Sequence, residues 1–142
     1  SYKNNKPFRV IPGWQVNILP KQLKRDFFNH SFSLSPQCNR MGYRLSGEAL
    51  KNSTSTGNMV SEGIIAGAIQ IPPDGLPIVM MSDHQTIGGY PKIGTLCSVD
   101  RWRLAQYSVG HEVAFSPITP YRGRQLFRKY LKEFERTLPH PC

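Results

Sequence analysis

Residues 69–94, IQIPPDGLPIVMMSDHQTIGGYPKIG, place an apolar run, Leu76 to Met81, directly before a polar cluster, Asp83, His84, Gln85 and Thr86, and then a glycine-rich turn, Gly88, Gly89, Tyr90 and Pro91. A strand with no polar residue is buried on both faces, so Leu76 to Met81 reads as a central strand or as the wall of a closed barrel. Polar groups at the end of such a strand are held more accurately than groups on a free loop, and glycines let backbone approach a ligand with no Cβ in the way. Just upstream, Pro72, Pro73, Asp74 and Gly75 form a strong turn signal, because proline presets φ and glycine supplies φ > 0. On these residues alone two readings stay open: a ligand site at a strand end, and a plain hairpin with a polar rim.

Outward from this stretch the chain alternates short strand signals with Gly and Pro turns. Phe8 to Ile11 reads as a strand stopped by Pro12 and Gly13. Pro20 to Asn29 reads as a surface helix with Leu23 and Phe27 on one face. Ser31 to Ser35 alternates as a half-buried strand does, with Tyr43 to Leu45 its partner or neighbour and an arginine, Arg40, at the apex of the loop between them. Leu50 to Gly57 is expected to be an exposed connection, and Met59 to Gly67 and Ile69 to Ile71 to resume the sheet. Ile93 to Val99 is again strand-like, Asp100 is placed to cap a short helix over Arg101 to Gln106, and His111 to Phe115 is a strand with Val113 and Phe115 inward. Arg122 to Leu138 is the clearest helix, with Leu126, Phe127, Tyr130, Leu131 and Phe134 in one apolar stripe and Pro139 as its stop. Many short strands and few helices favour a mainly β, barrel-like domain with peripheral helices over a doubly wound α/β fold.

The 142 residues suit one domain with a real core. Hydrophobic content of 39% and a mean hydropathy of -0.40 describe a soluble protein, and no apolar run approaches the ~20 residues a membrane span needs. No signal peptide is expected, since SYKNNKPFRV has no apolar h-region. Three cysteines without a close pair point to a reducing cytoplasm, and four scattered histidines give no metal-ligand spacing, so no metal held by protein side chains alone is expected. The net charge of +9 raises a polyanion as partner, yet the basic residues gather in the N-terminal third and on the last helix, with no nucleic-acid motif or aromatic-basic platform. Neither nucleic acid nor membrane is expected as a partner.

Three constellations could carry chemistry. Arg40 and Arg44 flank the turn glycine Gly42, and two guanidinium forks there could bind a carboxylate or phosphate; two solvated surface arginines are the bland alternative. Asp83 could accept a proton or orient an amide, Gln85 and Thr86 could bond a carbonyl, and His84 could act near neutral pH; a capped turn is the bland alternative. Gly88, Gly89, Tyr90 and Lys92 could cradle an anion, though the loop is neither a Walker motif nor a GxGxxG fingerprint. No serine-histidine-acid or cysteine-base pairing is visible in the sequence.

The segments SPQCNRMGYRLSG (35–47), GAIQIPPDGLPIVMMSDHQTIGGYPKIG (67–94) and SVDRWRLAQYSVGHEVAF (98–115) resemble, in order, the C-terminal half of the family named for allophanate hydrolase subunit 2. That family includes the C subunit of 5-oxoprolinase, Kip-type regulatory proteins and the carboxyltransferase domain of urea carboxylase. Full-length members are roughly twice this size, so residues 1–142 are expected to be the C-terminal of two domains. The resemblance implies a cyclophilin-like β-barrel. It also implies a subunit of an ATP-dependent amidohydrolase acting on a cyclic amide or urea-like substrate, with ATP in the assembled complex, a subunit-1-like partner and the protein's own N-terminal domain beside it. Asp83, Gln85 and Arg40 are then the catalytic candidates, and Arg44, Thr86, Gly88, Gly89, Tyr90, Lys92 and His84 the substrate-binding ones. The resemblance equally permits carboxyl transfer from carboxybiotin to urea or a related amide, with no biotin carried on this chain, or a non-enzymatic Kip-type regulator. Cys38-Asn39 and the residues His84 and Ile87 depart from the family pattern, and His84 and Ile87 mark where the substrate of this member is expected to differ or its activity to be lost.

Overall fold

The computed structural model describes residues 6–13, 19–51, 62–85 and 87–138. Among them, ten short strands and three helices follow one another as β1 (Phe8–Pro12), α1 (Lys21–Asn29), β2 (Phe32–Leu34), β3 (Gly42–Gly47), β4 (Glu62–Gly63), β5 (Ala68–Gln70), β6 (Ile78–Met80), β7 (Ile87–Gly88), β8 (Lys92–Leu96), α2 (Ser98–Leu104), β9 (Glu112–Val113), β10 (Phe115–Pro117) and α3 (Pro120–Thr137). Eight strands form one sheet in the order β10-β1-β8-β5-β6-β3-β2-β9, and β4 with β7 makes a separate two-stranded ribbon.

The two ends of the eight-stranded order are β9 and β10, which are consecutive in the chain with only Ala114 between them. Val113 pairs with Phe32 of β2, and two residues later Phe115 pairs with Phe8 of β1. One residue cannot bridge the two edges of an open sheet, so the edges lie side by side and the sheet wraps into a nearly closed barrel. The Phe8 N–H completes the seam by donating to the Ala114 carbonyl at 2.8 Å. This is the mainly β barrel with peripheral helices that the strand count implied. The single strand expected over His111 to Phe115 is instead two strands that change partners at Ala114, although Val113 and Phe115 do point inward.

The turn at 72–75 forms as its residues require: Gly75 has φ +78°, its N–H donates to the Pro72 carbonyl at 2.9 Å, and Asp74 accepts from the Leu76 N–H at 3.0 Å. It returns the chain so that β6 pairs antiparallel with β5 on one side and with β3 on the other. The apolar run is therefore a central strand, with Ile78, Val79, Met80 and Met81 all buried. Leu50, expected in an exposed connection, is buried too, because its N–H bonds the Gly75 carbonyl and its side chain joins the core. Most of that connection, residues 52–57, and residues 59–61 of the next expected strand lie outside the described residues; the remainder of that strand is represented by the short β4.

Leu23 and Phe27, one turn apart on α1, have no exposed surface, and Phe27 stacks on Phe115 with ring centroids 4.7 Å apart. Burying each such side chain contributes about 1.5–3 kcal/mol, enough to fix a nine-residue helix that has no side-chain cap. Phe8 and Phe32 complete the aromatic cluster.

Asp100 departs from its expected role. The helix starts earlier, at Ser98, so Asp100 sits inside its first turn rather than at the cap, and its side chain is wholly buried. Both carboxylate oxygens are taken by Arg9 of β1: the backbone N–H donates at 2.6 Å, Nε at 2.8 Å and Nη2 at 2.7 Å. Burial pushes the carboxyl up, but the Arg9 hydrogen bonds and charge, with Arg103 behind them, outweigh it and hold it below the usual carboxylate range. The same bond to Asp100 raises Arg9.

α3 begins two residues before the expected Arg122, because Thr119 caps it by accepting the Arg122 N–H at 3.1 Å and Pro120 suits its first turn. Its apolar stripe is not covered: within the helix only Gly123 is buried, while Phe127, Tyr130, Leu131 and Phe134 remain 36–49% exposed. Trp102 of α2 meets Tyr130 at 4.9 Å, which ties the two helices together. Pro139, the expected stop, lies outside the described residues. No helix among them is long and apolar enough to cross a membrane.

Candidate functional site

Side chains alternate across a strand, so the two faces of β3, β5 and β6 go to different places. Tyr43, Leu45, Ile69 and Val79 face the main core. Arg44, Ala68, Gln70, Ile78 and Met80 take the opposite face, where Ile64 joins Ala68, Ile78 and Met80 in a second small apolar cluster. A strand apolar on both faces is the direct result. On this second face a cavity of about 400 Å³ opens between the sheet and the loops above it, within the usual range for small-molecule sites. Its lining comprises Gln37, Asn39, Met41, Gly42, Arg44, Gln70, Ile78, Met80, Gln85 and Tyr90. Among the described residues it thus presents four carboxamides, one guanidinium and one phenol over an apolar floor, and no carboxylate.

Backbone hydrogen bonds hold the rim. The Ser35 N–H donates to the Arg44 carbonyl at 3.0 Å, closing the loop over Pro36 to Tyr43. Within it the Asn39 side-chain oxygen accepts from the Met41 N–H at 2.8 Å and the Gly42 N–H at 3.3 Å, an Asx turn that raises Arg40 to its tip. This loop is zipped to the one after β6: the Met81 N–H donates to the Met41 carbonyl at 3.1 Å and the Asp83 N–H to the Arg40 carbonyl at 2.9 Å. Two segments far apart in sequence are therefore joined into one rim.

The structure distributes the sequence candidates unevenly. Arg44, Gln85 and Tyr90 line the cavity. Arg40 and Asp83 lie on the rim and pair with each other at 3.1 Å, with 88% and 56% of their side chains exposed. His84 turns its Nδ1 to the Gln85 carbonyl at 2.6 Å. Gly88 is in β7, Gly89 follows it, and Lys92 opens β8 directly opposite Gln70 in the β5–β8 register. Thr86 lies outside the described residues. Cys38, in the cavity loop, is pushed up by burial against weaker bonds from Ser35 and Arg44, which disfavours its thiolate. No group of three or more His, Cys, Asp or Glu side chains gathers among the described residues.

Gln70 is absent from the candidates that the sequence offers, yet it is the most deeply set polar side chain of the cavity, 1% exposed. The register of β5 against β8 shifts between Ile69 and Gln70, and such irregularities re-aim side chains near sites. The available signal is a single carboxamide inside the apolar run Ala68 to Ile71, a poor fit to a strand buried on both faces.

The family model described as the carboxyltransferase domain, subdomain A and B, matches residues 1–117, a span that ends before α3. Among curated proteins, the C subunit of 5-oxoprolinase from Escherichia coli is 39% identical over 107 residues, covering 75% of this chain and 34% of that protein. The protein of the same description from Haemophilus influenzae is 32% identical over 131 residues, covering 90% and 42% respectively. The chain therefore spans between a third and a half of the length of these relatives. Among solved structures, the urea carboxylase of Kluyveromyces lactis superposes with a TM-score of 0.83 at 22% identity, over 96% of this chain and 13% of that one, a likeness of fold.

Proposed function

Because the chain belongs to the family of the carboxyltransferase domain, subdomains A and B, we propose that it is part of a subunit of an amidohydrolase similar to 5-oxoprolinase, acting on a small cyclic amide. The observation that carries this is the cavity's lining: Gln37, Asn39, Gln70 and Gln85 with Arg44, and no carboxylate among the described residues. Carboxamides both donate and accept, which matches the C=O and N–H of a planar amide, while the Arg44 fork suits a carboxylate on the same molecule. Membership in this family and the similarity to the C subunit of 5-oxoprolinase support the same substrate class.

An unstrained lactam carbonyl is a poor electrophile, so the chain's contribution is to hold the amide in one orientation and to polarise its oxygen. Arg44 holds the carboxylate, Gln85 bonds the amide, and Asp83 on the rim, kept in place by Arg40, orients the attacking water. The described residues do not fit a triphosphate: the Gly88–Gly89 turn runs into strand β8 and not into a helix N-terminus. The proposal assigns ATP to the assembled complex, with its subunit-1-like partner.

Reconstitution of the full-length protein with its partner subunits, following ATP-coupled release of glutamate from 5-oxoproline, tests the reading. Arg44→Ala is expected to raise KM at least about tenfold; unchanged kinetics in Arg44→Ala and Asp83→Ala together would remove the proposed site. A second reading, carboxyl transfer to urea or a related amide, is favoured by the family's description and by the fold shared with urea carboxylase. It predicts bicarbonate- and biotin-dependent carboxylation of urea by the same assembly.

A further inference from the structure

We infer that Gln70 is the residue that reads the ligand's carbonyl: its carboxamide N–H, buried behind the floor of the cavity against Gly88, becomes the donor for the oxygen of a planar amide that enters oxygen first. The inference rests on the reading of this cavity as an amide site and assigns the donor that makes it one. Gln70 is 1% exposed and lines the cavity, and its Nε2 has no hydrogen-bond partner among the described residues. Buried amide donors are almost always paired, because an unmade bond leaves the desolvation of the group uncompensated. A donor left without a partner among the described residues, on a side chain that lines a cavity large enough for a ligand, is matched by an acceptor on that ligand.

Gly88 makes the donor available. A Cβ at this position would lie 2.5 Å from Gln70 Nε2, 2.5 Å from Ile64 Cδ1 and 3.4 Å from Gln85 Nε2. Both carboxamide nitrogens thus converge on bare backbone, where any side chain would push Gln70 out of line. Gly88 has no left-handed φ, so space and not backbone conformation is what calls for glycine here. Arg44 on β3 is exposed, whereas Gln70 is enclosed; the charged end of a ligand therefore stays at the mouth and its neutral carbonyl goes in. A site built to bond a carbonyl rejects an analogue that lacks it, since the site's own donor is then stranded.

The test uses calorimetric titration of the full-length protein with 5-oxoproline and two carbocyclic probes, 3-oxocyclopentane-1-carboxylate and cyclopentanecarboxylate, which share ring size and carboxylate and differ in the carbonyl. The wild type is expected to bind 5-oxoproline and to prefer the keto acid over the plain acid by about tenfold. Gln70→Leu, similar in size and without the donor, is expected to bind the two carbocycles equally while melting at the same or a higher temperature, because it removes a stranded polar group. Gln70→Met, which keeps the length of the side chain and has no hydrogen-bond donor, is expected to lose the preference as well. A preference for the keto acid that persists in Gln70→Leu overturns the assignment of Gln70 and leaves the amide reading standing. Loss of binding together with a lowered melting temperature in both variants gives Gln70 a structural role and overturns the assignment too. Failure of the wild type to bind 5-oxoproline overturns the amide reading itself, and the inference with it.

Discussion

Two buried polar groups of this barrel are treated in opposite ways. Asp100 is fully enclosed in the first turn of α2, and Arg9 from ninety-one residues away bonds both its oxygens through backbone and side chain. Gln70 is almost as deeply enclosed on β5, yet its Nε2 is bonded to nothing among the described residues. A buried charge left alone is prohibitive, so where the fold itself depends on one it is completely satisfied. A buried neutral amide left alone costs about 1–3 kcal/mol; Gln70 Nε2 is one of three buried side-chain nitrogens without a hydrogen-bond partner among the described residues, with His30 Nδ1 and Arg103 Nε, and of these it alone belongs to a residue that lines the amide-rich cavity. The difference separates a group that holds the barrel together from one that waits for something to arrive.

Breaking the satisfied pair is expected to have the largest effect. Asp100→Ala strands the Arg9 guanidinium, which is partly exposed and recovers some hydration, so a loss of about 3 kcal/mol is expected, read as a lower urea midpoint at unchanged slope. The pair also sets an acid limit. The Asp100 carboxyl is held below its ordinary value in the folded state, so its contribution is complete above the unfolded value of about 3.9 and is lost as pH falls through the lower folded value. Urea unfolding from about pH 6 downward should show that loss in the wild type and a shallower one in Asp100→Asn.

Removing the unsatisfied donor is expected to do the reverse, leaving Gln70→Leu at least as stable as the wild type while its carbonyl selectivity disappears. Gly88→Ala sharpens the contrast from the other side. The atoms it would crowd are the ends of two flexible side chains, Gln70 and Ile64, so a stability cost of about 1 kcal/mol is expected, together with weaker 5-oxoproline binding as Gln70 is pushed aside. The smallest effect belongs to the exposed rim pair. Arg40→Ala and Asp83→Ala should each change stability by less than about 1 kcal/mol, so any loss of turnover in them measures function and not folding.

How much of the fold the sequence discloses depends on the range of the interactions involved. The 72–75 turn, helix α1 and the doubly buried β6 are decided by residues within a few positions of one another, and each is legible. Asp100 looks like a cap because aspartate before a helical pattern usually is one; its partner, Arg9, cannot be seen from there. The division of His111–Phe115 into two strands depends on which edges meet at Ala114, again a long-range matter. In the candidate site, Gln85 and Tyr90 can be picked out because they stand in loops where polar residues signal work, and Arg44 because it flanks the turn glycine Gly42 opposite Arg40. Gln70 stands inside the 67–94 segment that resembles the family, but no role attaches to it there, since a lone amide in a strand reads as an outward-facing residue until both faces of that strand are found to be covered. The stripe on α3 is legible as a pattern, but a pattern does not reveal whether anything packs on it, and here Phe127, Tyr130 and Phe134 stay exposed.

A second cavity of about 450 Å³, between β8 and α3 and lined by Ile11, Leu96, Gly123 and Phe127 among others, offers an internal control for the central claim that the amide-lined cavity is the ligand site. The most direct measurement is the titration of isotope-labelled protein with 5-oxoproline, followed by NMR through backbone and side-chain amide signals. The account predicts shifts centred on Arg44, Gln70, Gln85 and Tyr90, with the Gln70 side-chain NH₂ moving downfield as it gains an acceptor. Shifts centred on Ile11, Thr95 and Phe127, or a Gln70 side chain that does not respond while ligand binds, would contradict it.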